Sequence, residues 1–306
     1  MNQTIREFEW PTLLVMIVTY GVWAAGTTLW DSFAPLSLLL TAVAIAQFSS
    51  LQHEVLHGHP FANKRINEAL VFPALMFVMP YGRFRDLHLQ HHYDPNLTDP
   101  FDDPEANFQA PEVWATLSRP VQAVYRFNNT LFGRMVVGPA VSLWALFKGD
   151  WLAWRTGTPG IAKSWLLNAL GAVPVVWWLV AVGTIPAWGY ILAVYLGYSL
   201  LKIRTYLEHR AHEAARARTV VVEDRGPLSL LFLNNNFHVV HHMHPTTPWY
   251  RLPALYAARR AHFLRRNEAY VYRSYGEIFR LYFFRAKDPV PHHIYPVQKV
   301  EQADAA

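Results

Sequence analysis

Histidine is the residue type through which this sequence could do chemistry. The chain has 15 histidines and no cysteine. Four short groups stand out: His53-Glu-Val-Leu-His57, His88-Leu-Gln-His91-His92, His209-Arg-Ala-His212 and His238-Val-Val-His241-His242. On a helix, positions i, i+3 and i+4 share a face. Each H-x-x-H-H segment is therefore expected to point three imidazoles at one spot. The i, i+4 pair adds two more, and the His209 group at least one, with His212 in reserve. Nine or ten imidazoles exceed what one metal ion can use, so the pattern points to a pair of metals. Imidazole accepts zinc, copper, iron and nickel, so donor type does not choose among them. The absence of cysteine removes disulfides, iron–sulfur clusters, thiolate zinc sites and a cysteine nucleophile together.

A rival reading uses His53-Glu54-Val55-Leu56-His57, which fits the H-E-x-x-H zinc-protease signature with Glu54 as general base. It leaves both H-x-x-H-H boxes without work. His59, His244, His262, His292 and His293 lack a periodic partner set and read as bystanders. Glu54 and Glu208 each adjoin a candidate ligand. They either accept hydrogen bonds from histidines of other groups or pair with surface arginines. Asp94, Asp99, Asp102 and Asp103 fall in an acidic, proline-broken stretch, 94–105, that reads as a loop. Solvation is the expectation for them rather than support of a metal.

The elements that must position these groups are apolar. Hydrophobic residues make up 52% and charged residues 16%, against about 25% charged in soluble domains. Residues 10–30 and 32–52 are uncharged apart from Asp31 between them, and each run has the roughly 20 residues that a bilayer crossing needs. Residues 164–201 are uncharged and broken near the middle by Gly183-Thr-Ile-Pro186, which predicts a second helical hairpin. The runs 69–82 and 135–147 are too short to cross and read as interfacial or re-entrant. The expected fold is all-α and integral to the membrane. Four transmembrane helices in two hairpins, at about 10–30, 32–52, 164–182 and 187–203, join interfacial helices and a cytosolic cap holding a dimetal site. Residues 1–306 read as one domain, with cytosolic segments 53–163 and 204–306.

With those spans, nearly all the 27 basic residues fall on one side. That side is cytoplasmic by the positive-inside rule, and all four histidine groups lie there. Both termini are expected on the same side. The net charge of +5 fits a lipid surface better than nucleic acid, because the basic residues border apolar spans and form no nucleic-acid motif.

From about residue 30 to 260 the boxes resemble the membrane fatty-acid desaturase/hydroxylase superfamily. The tail His242-Met-His-Pro-Thr-Thr-Pro-Trp-Tyr250 resembles that of bacterial acyl-lipid desaturases. Tyr206-Leu-Glu-His209 is similar to an element of alkane monooxygenases in which the histidine is a ligand. The resemblance implies two irons held by His53, His57, His88, His91, His92, His209, His238, His241 and His242, with O2 as co-substrate and a bacterial inner membrane as location. It implies desaturation of a fatty-acyl or lipid chain. The alternative is a hydroxylase, monooxygenase or ketolase acting on a lipid, alkane, carotenoid or small amino-acid-like substrate. Some relatives place an asparagine by the metals; here Thr205 stands at that position, with Asn235 or Asn236 as substitutes. No cysteine and no H-P-G-G haem box are present, so electrons must come from a separate ferredoxin-, rubredoxin- or cytochrome-like carrier. Arg259, Arg260, Arg265 and Arg266 form an expected dock for it.

Overall fold

The computed structural model describes residues 9–296. The extreme termini, expected on the cytoplasmic side, lie outside them. The chain divides into two compact units. One takes in the residues up to Arg85, Leu143–Leu200 and Pro248–Tyr250. The other takes in Asp86–Ser142, Leu201–Thr247 and the residues from Arg251 onward.

The first unit is built from the apolar runs. Helices Trp10–Thr28 and Trp30–Leu56 pack as a hairpin, and Ser37 Oγ donates to the Gly26 carbonyl at 2.6 Å. Helix Ile161–Ala181 follows, then Ala187–Thr205, which this unit shares up to Leu200. Among the described residues, Trp10–Thr28, Trp30–Leu56 and Ile161–Ala181 are long and apolar enough to cross a membrane. Ala187–Thr205 has the length, but Trp188, three tyrosines, Lys202 and Arg204 lower its hydropathy. The Gly183–Pro186 break joins the last two helices, and the Thr184 and Ile185 amides donate to the Thr27 carbonyl.

The short run near residues 71–80 is irregular, and Val71, Ala74, Leu75 and Met76 are buried. Backbone away from water must find its partners inside the protein. Here Tyr190 Oη donates to the Leu75 carbonyl (2.7 Å), Asn168 Nδ2 to the Phe77 carbonyl (2.6 Å), and the Ala74 amide to the Gly171 carbonyl (3.0 Å). Tyr20 Oη caps Leu70 at 2.7 Å. The segment is thus pinned among the helices of this unit. The tail after the last histidine box is also tied here. Trp249 donates from its backbone N–H to Glu54 Oε2 and from Nε1 to Thr12 Oγ1.

The second unit has a small core of Val221, Phe237, Val239, Val240, Leu252, Tyr256 and Phe263. A two-stranded parallel sheet pairs Val221 with Val271 and Val222 with Tyr272. The amides of Val222 and Val239 bond to the carbonyls of Asn236 and Val220, which fixes helix His238–Met243 against the sheet. Val239 and Val240 are the buried anchor of that helix, leaving His238, His241 and His242 to turn away from the apolar core. Leu233 (φ 48°) and Asn234 (φ 54°) precede it in left-handed conformation. Asparagine tolerates that region; leucine does so at a cost that the surrounding packing must cover.

Candidate metal centre

In the second unit, helix Tyr81–Tyr93 carries His88, His91 and His92, and helix His238–Met243 carries His238, His241 and His242. His209 stands just past the end of Ala187–Thr205. These seven imidazoles gather in two groups. His91, His209, His238 and His242 have ligand nitrogens within 4.8 Å of one another, as do His88, His92 and His241.

Each H-x-x-H-H box is therefore divided, contrary to the expectation that it serves one spot. The i and i+4 residues go to one group and the i+3 residue to the other. The cause is helical geometry: i+3 and i+4 point roughly 100° apart at 3.6 residues per turn. The two boxes repeat one arrangement. Ring centroids of His88–His92 and His238–His242 are both 4.6 Å apart, at interplanar angles of 71° and 74°. The groups adjoin, with His92 stacked on His242 at 4.2 Å.

Nε2 faces inward throughout. His209 Nε2 lies 3.0 Å from His91 Nε2 and 3.1 Å from His238 Nε2, and His242 Nε2 is 3.2 Å from that of His238. In the other group, His92 Nε2 lies 3.0 Å from those of His88 and His241. Metal–imidazole bonds of about 2.0–2.1 Å put adjacent ligand nitrogens about 3.0–3.4 Å apart. The donor set thus fits transition-metal ions without rearrangement.

Three of the outer nitrogens are held by acceptors. His91 Nδ1 lies 2.7 Å from Asp103 Oδ1, His88 Nδ1 2.8 Å from Glu105 Oε1, and His238 Nδ1 3.1 Å from Asn235 Oδ1. Such acceptors fix the tautomer that leaves Nε2 free to ligate. Asp103 is buried, so the expectation that it is merely solvated is corrected. It also accepts from the Thr98 and Glu105 amides, which folds the loop around it. The one sequence signal for Glu105 is its place at the end of the same acidic stretch. Glu208 meets neither expectation as framed: its arginine, Arg204 at 3.0 Å, is buried rather than on the surface, and it accepts from Asn235 Nδ2 at 3.1 Å while His238 Nδ1 stays 3.8 Å away. Asn235 is the asparagine of the site; Asn236 instead donates to the Val222 and Asp224 carbonyls.

The electrostatics separate the ligands. Burial, reinforced by neighbouring imidazoles, holds His209, His238 and His242 well below the ordinary histidine pKa. Burial opposes the charged form of His91 too, but Glu105 and Asp103 overcome it and lift the pKa to about 9. Burial works against the Glu105 charge, yet His88 and His91 keep its pKa well below the carboxylate range.

His53 and His57 stand side by side at the end of helix Trp30–Leu56 in the first unit, centroids 4.8 Å apart. His212 belongs to neither group: its Nε2 lies 3.4 Å from Glu268, and its Nδ1 accepts from the Ala214 amide. Of the bystanders, His59 makes a buried pair with Glu9 at 2.8 Å, and His292 packs on Phe108 near Thr98.

The family model described as fatty acid desaturase matches residues 28–275. A beta-carotene ketolase of Paracoccus sp. is 24% identical over 231 residues, covering 73% of this chain and 77% of that protein. An sn-1 oleoyl-lipid 12-desaturase of Anabaena variabilis is 26% identical over 284 residues, covering 84% and 77%.

Proposed function

The chain belongs to the fatty acid desaturase family, and from that premise we propose an O2-dependent membrane oxidoreductase that holds two irons and desaturates a fatty-acyl or lipid chain. The observation that carries this reading is the double group of inward-facing imidazoles whose outer nitrogens meet Asp103, Glu105 and Asn235. His91, His209, His238 and His242 would hold one iron. His88, His92 and His241 would hold the other, with His53 and His57 completing it. The support for that last pair is the box pattern.

When bound, the irons supply activation of O2 for attack on an unactivated C–H bond. The chain's own residues do the rest. Asp103 and Glu105 fix the tautomers of His91 and His88. Asn235, itself held by Glu208, orients His238. Burial of the ligands keeps bulk water from the oxidising centre. The apolar spans let a lipid substrate approach from the bilayer. For desaturation the balance is two hydrogens from the substrate, two electrons from a carrier, two protons from solvent, and O2 leaving as two waters. The carrier is a separate ferredoxin-, rubredoxin- or cytochrome-like protein docking on a cytoplasmic face at a bacterial inner membrane.

The similarity to a ketolase favours a second reading, in which the same cage inserts oxygen into a lipid or carotenoid. The zinc-protease reading gives no work to the seven histidines of the second unit. Mass spectrometry of lipids and carotenoids from expressing cells separates the outcomes. Loss of two hydrogens supports desaturation, gain of oxygen supports the second reading, and an unchanged profile contradicts both.

A further inference from the structure

The second unit carries an apolar face that its own core leaves uncovered. Helix Arg119–Asn128 presents Val121, Val124 and Phe127 to the exterior at 41, 45 and 39% exposure. The spacing i, i+3, i+6 places them on one side of the helix. Beside them, Phe132 contacts Phe127 at 5.9 Å and Phe284 at 5.6 Å between ring centroids. Phe284 is 73% exposed. The Phe132 amide donates to the Phe283 carbonyl at 3.0 Å, so the two segments form one continuous surface. On the opposite side of the helix Arg119 and Arg126 are exposed, Arg126 donating to Gln122 Oε1 at 3.0 Å and lying over the Trp114 ring, and Arg280 and Arg285 are exposed in the second segment.

We propose that this face docks on an anionic lipid surface, with the aromatic and aliphatic side chains at the headgroup–acyl boundary and the four arginines on lipid phosphates. A contiguous exposed apolar patch marks a contact surface. An apolar side opposed by arginines on the polar side fits a helix lying in the membrane interface, and such cations gain from an anionic leaflet. The inference is independent of which reaction the metals support.

The chain has no cysteine, so single-cysteine labelling of the full protein tests this directly. Val124→Cys and Phe132→Cys would carry a polarity-sensitive fluorophore, with exposed His262→Cys as reference. The protein is placed in nanodiscs of phosphatidylcholine with or without phosphatidylglycerol. The expected result is blue-shifted emission at 124 and 132, with quenching by nitroxide lipid several-fold above the reference and iodide quenching several-fold below it. Phosphatidylglycerol should strengthen this, and Arg119→Gln with Arg126→Gln should remove that gain. Iodide access equal to the reference would overturn the proposal. So would protection that persists in detergent and rises with protein concentration, because a second copy would then be the occupant.

Discussion

At the residue scale, the outer nitrogens decide how well the cage works. Asp103→Asn removes the charge facing His91 while keeping the side chain's size. Metal affinity should fall about 10- to 100-fold, as for other losses of a ligand's hydrogen-bond partner, and competition with a chelator would measure it. Unchanged affinity would mean that Asp103 serves only the loop. The pKa of His91, lifted to about 9, gives a pH prediction. Without metal, the stability from its charge is fully present below about 6.5, the unfolded value, and is lost as pH rises through about 9. Metal binding needs neutral Nε2 and runs the other way. Affinity should rise from pH 7 to 9, with about one proton released at neutral pH. Calorimetry in buffers of different ionisation enthalpy would detect that proton, and a pH-independent affinity would contradict the assignment.

At the scale of elements, the periodicity of the sequence located most of what carries the site. The expected spans at 10–30, 32–52 and 164–182 appear as Trp10–Thr28, Trp30–Leu56 and Ile161–Ala181. Helix Ala187–Thr205 covers the expected 187–203. What periodicity does not report is which distant groups meet. Asp103 and Glu105 lie 12 and 17 residues from the histidines they hold. Their stretch looks like solvated loop because proline and aspartate favour turns whether or not the turn is buried. The division of each box between two groups was implicit in helical geometry, but it needed the position of the facing box to be seen. Irregular backbone at 71–80 also depends on remote partners. A Cβ on Gly171 would strike the Phe72 carbonyl oxygen, so Gly171→Ala should displace that segment. Tyr190→Phe leaves the Leu75 carbonyl unpaired and should cost about 1–3 kcal/mol. Thermal denaturation in detergent reads both, and wild-type melting in either variant would contradict the pinned-loop account.

At the scale of the molecule, charge and apolar surface decide what the protein meets. Arg259 and Arg265 are exposed, while exposed Arg260 pairs with Glu223 at 2.6 Å. If an acidic carrier docks there, Arg259→Glu with Arg265→Glu should raise the KM for the carrier severalfold and flatten its salt dependence. Turnover driven by a small chemical reductant should not change. Equal losses with both reductants would place the defect elsewhere.

The measurement that bears most directly on the central claim is elemental analysis of the purified protein with variants of the two imidazole groups. The account predicts two irons per chain in the wild type. Replacing His91 and His242, or His88 and His241, should each deplete one of the two. A single zinc per chain, retained when His238 and His241 are replaced, would contradict it.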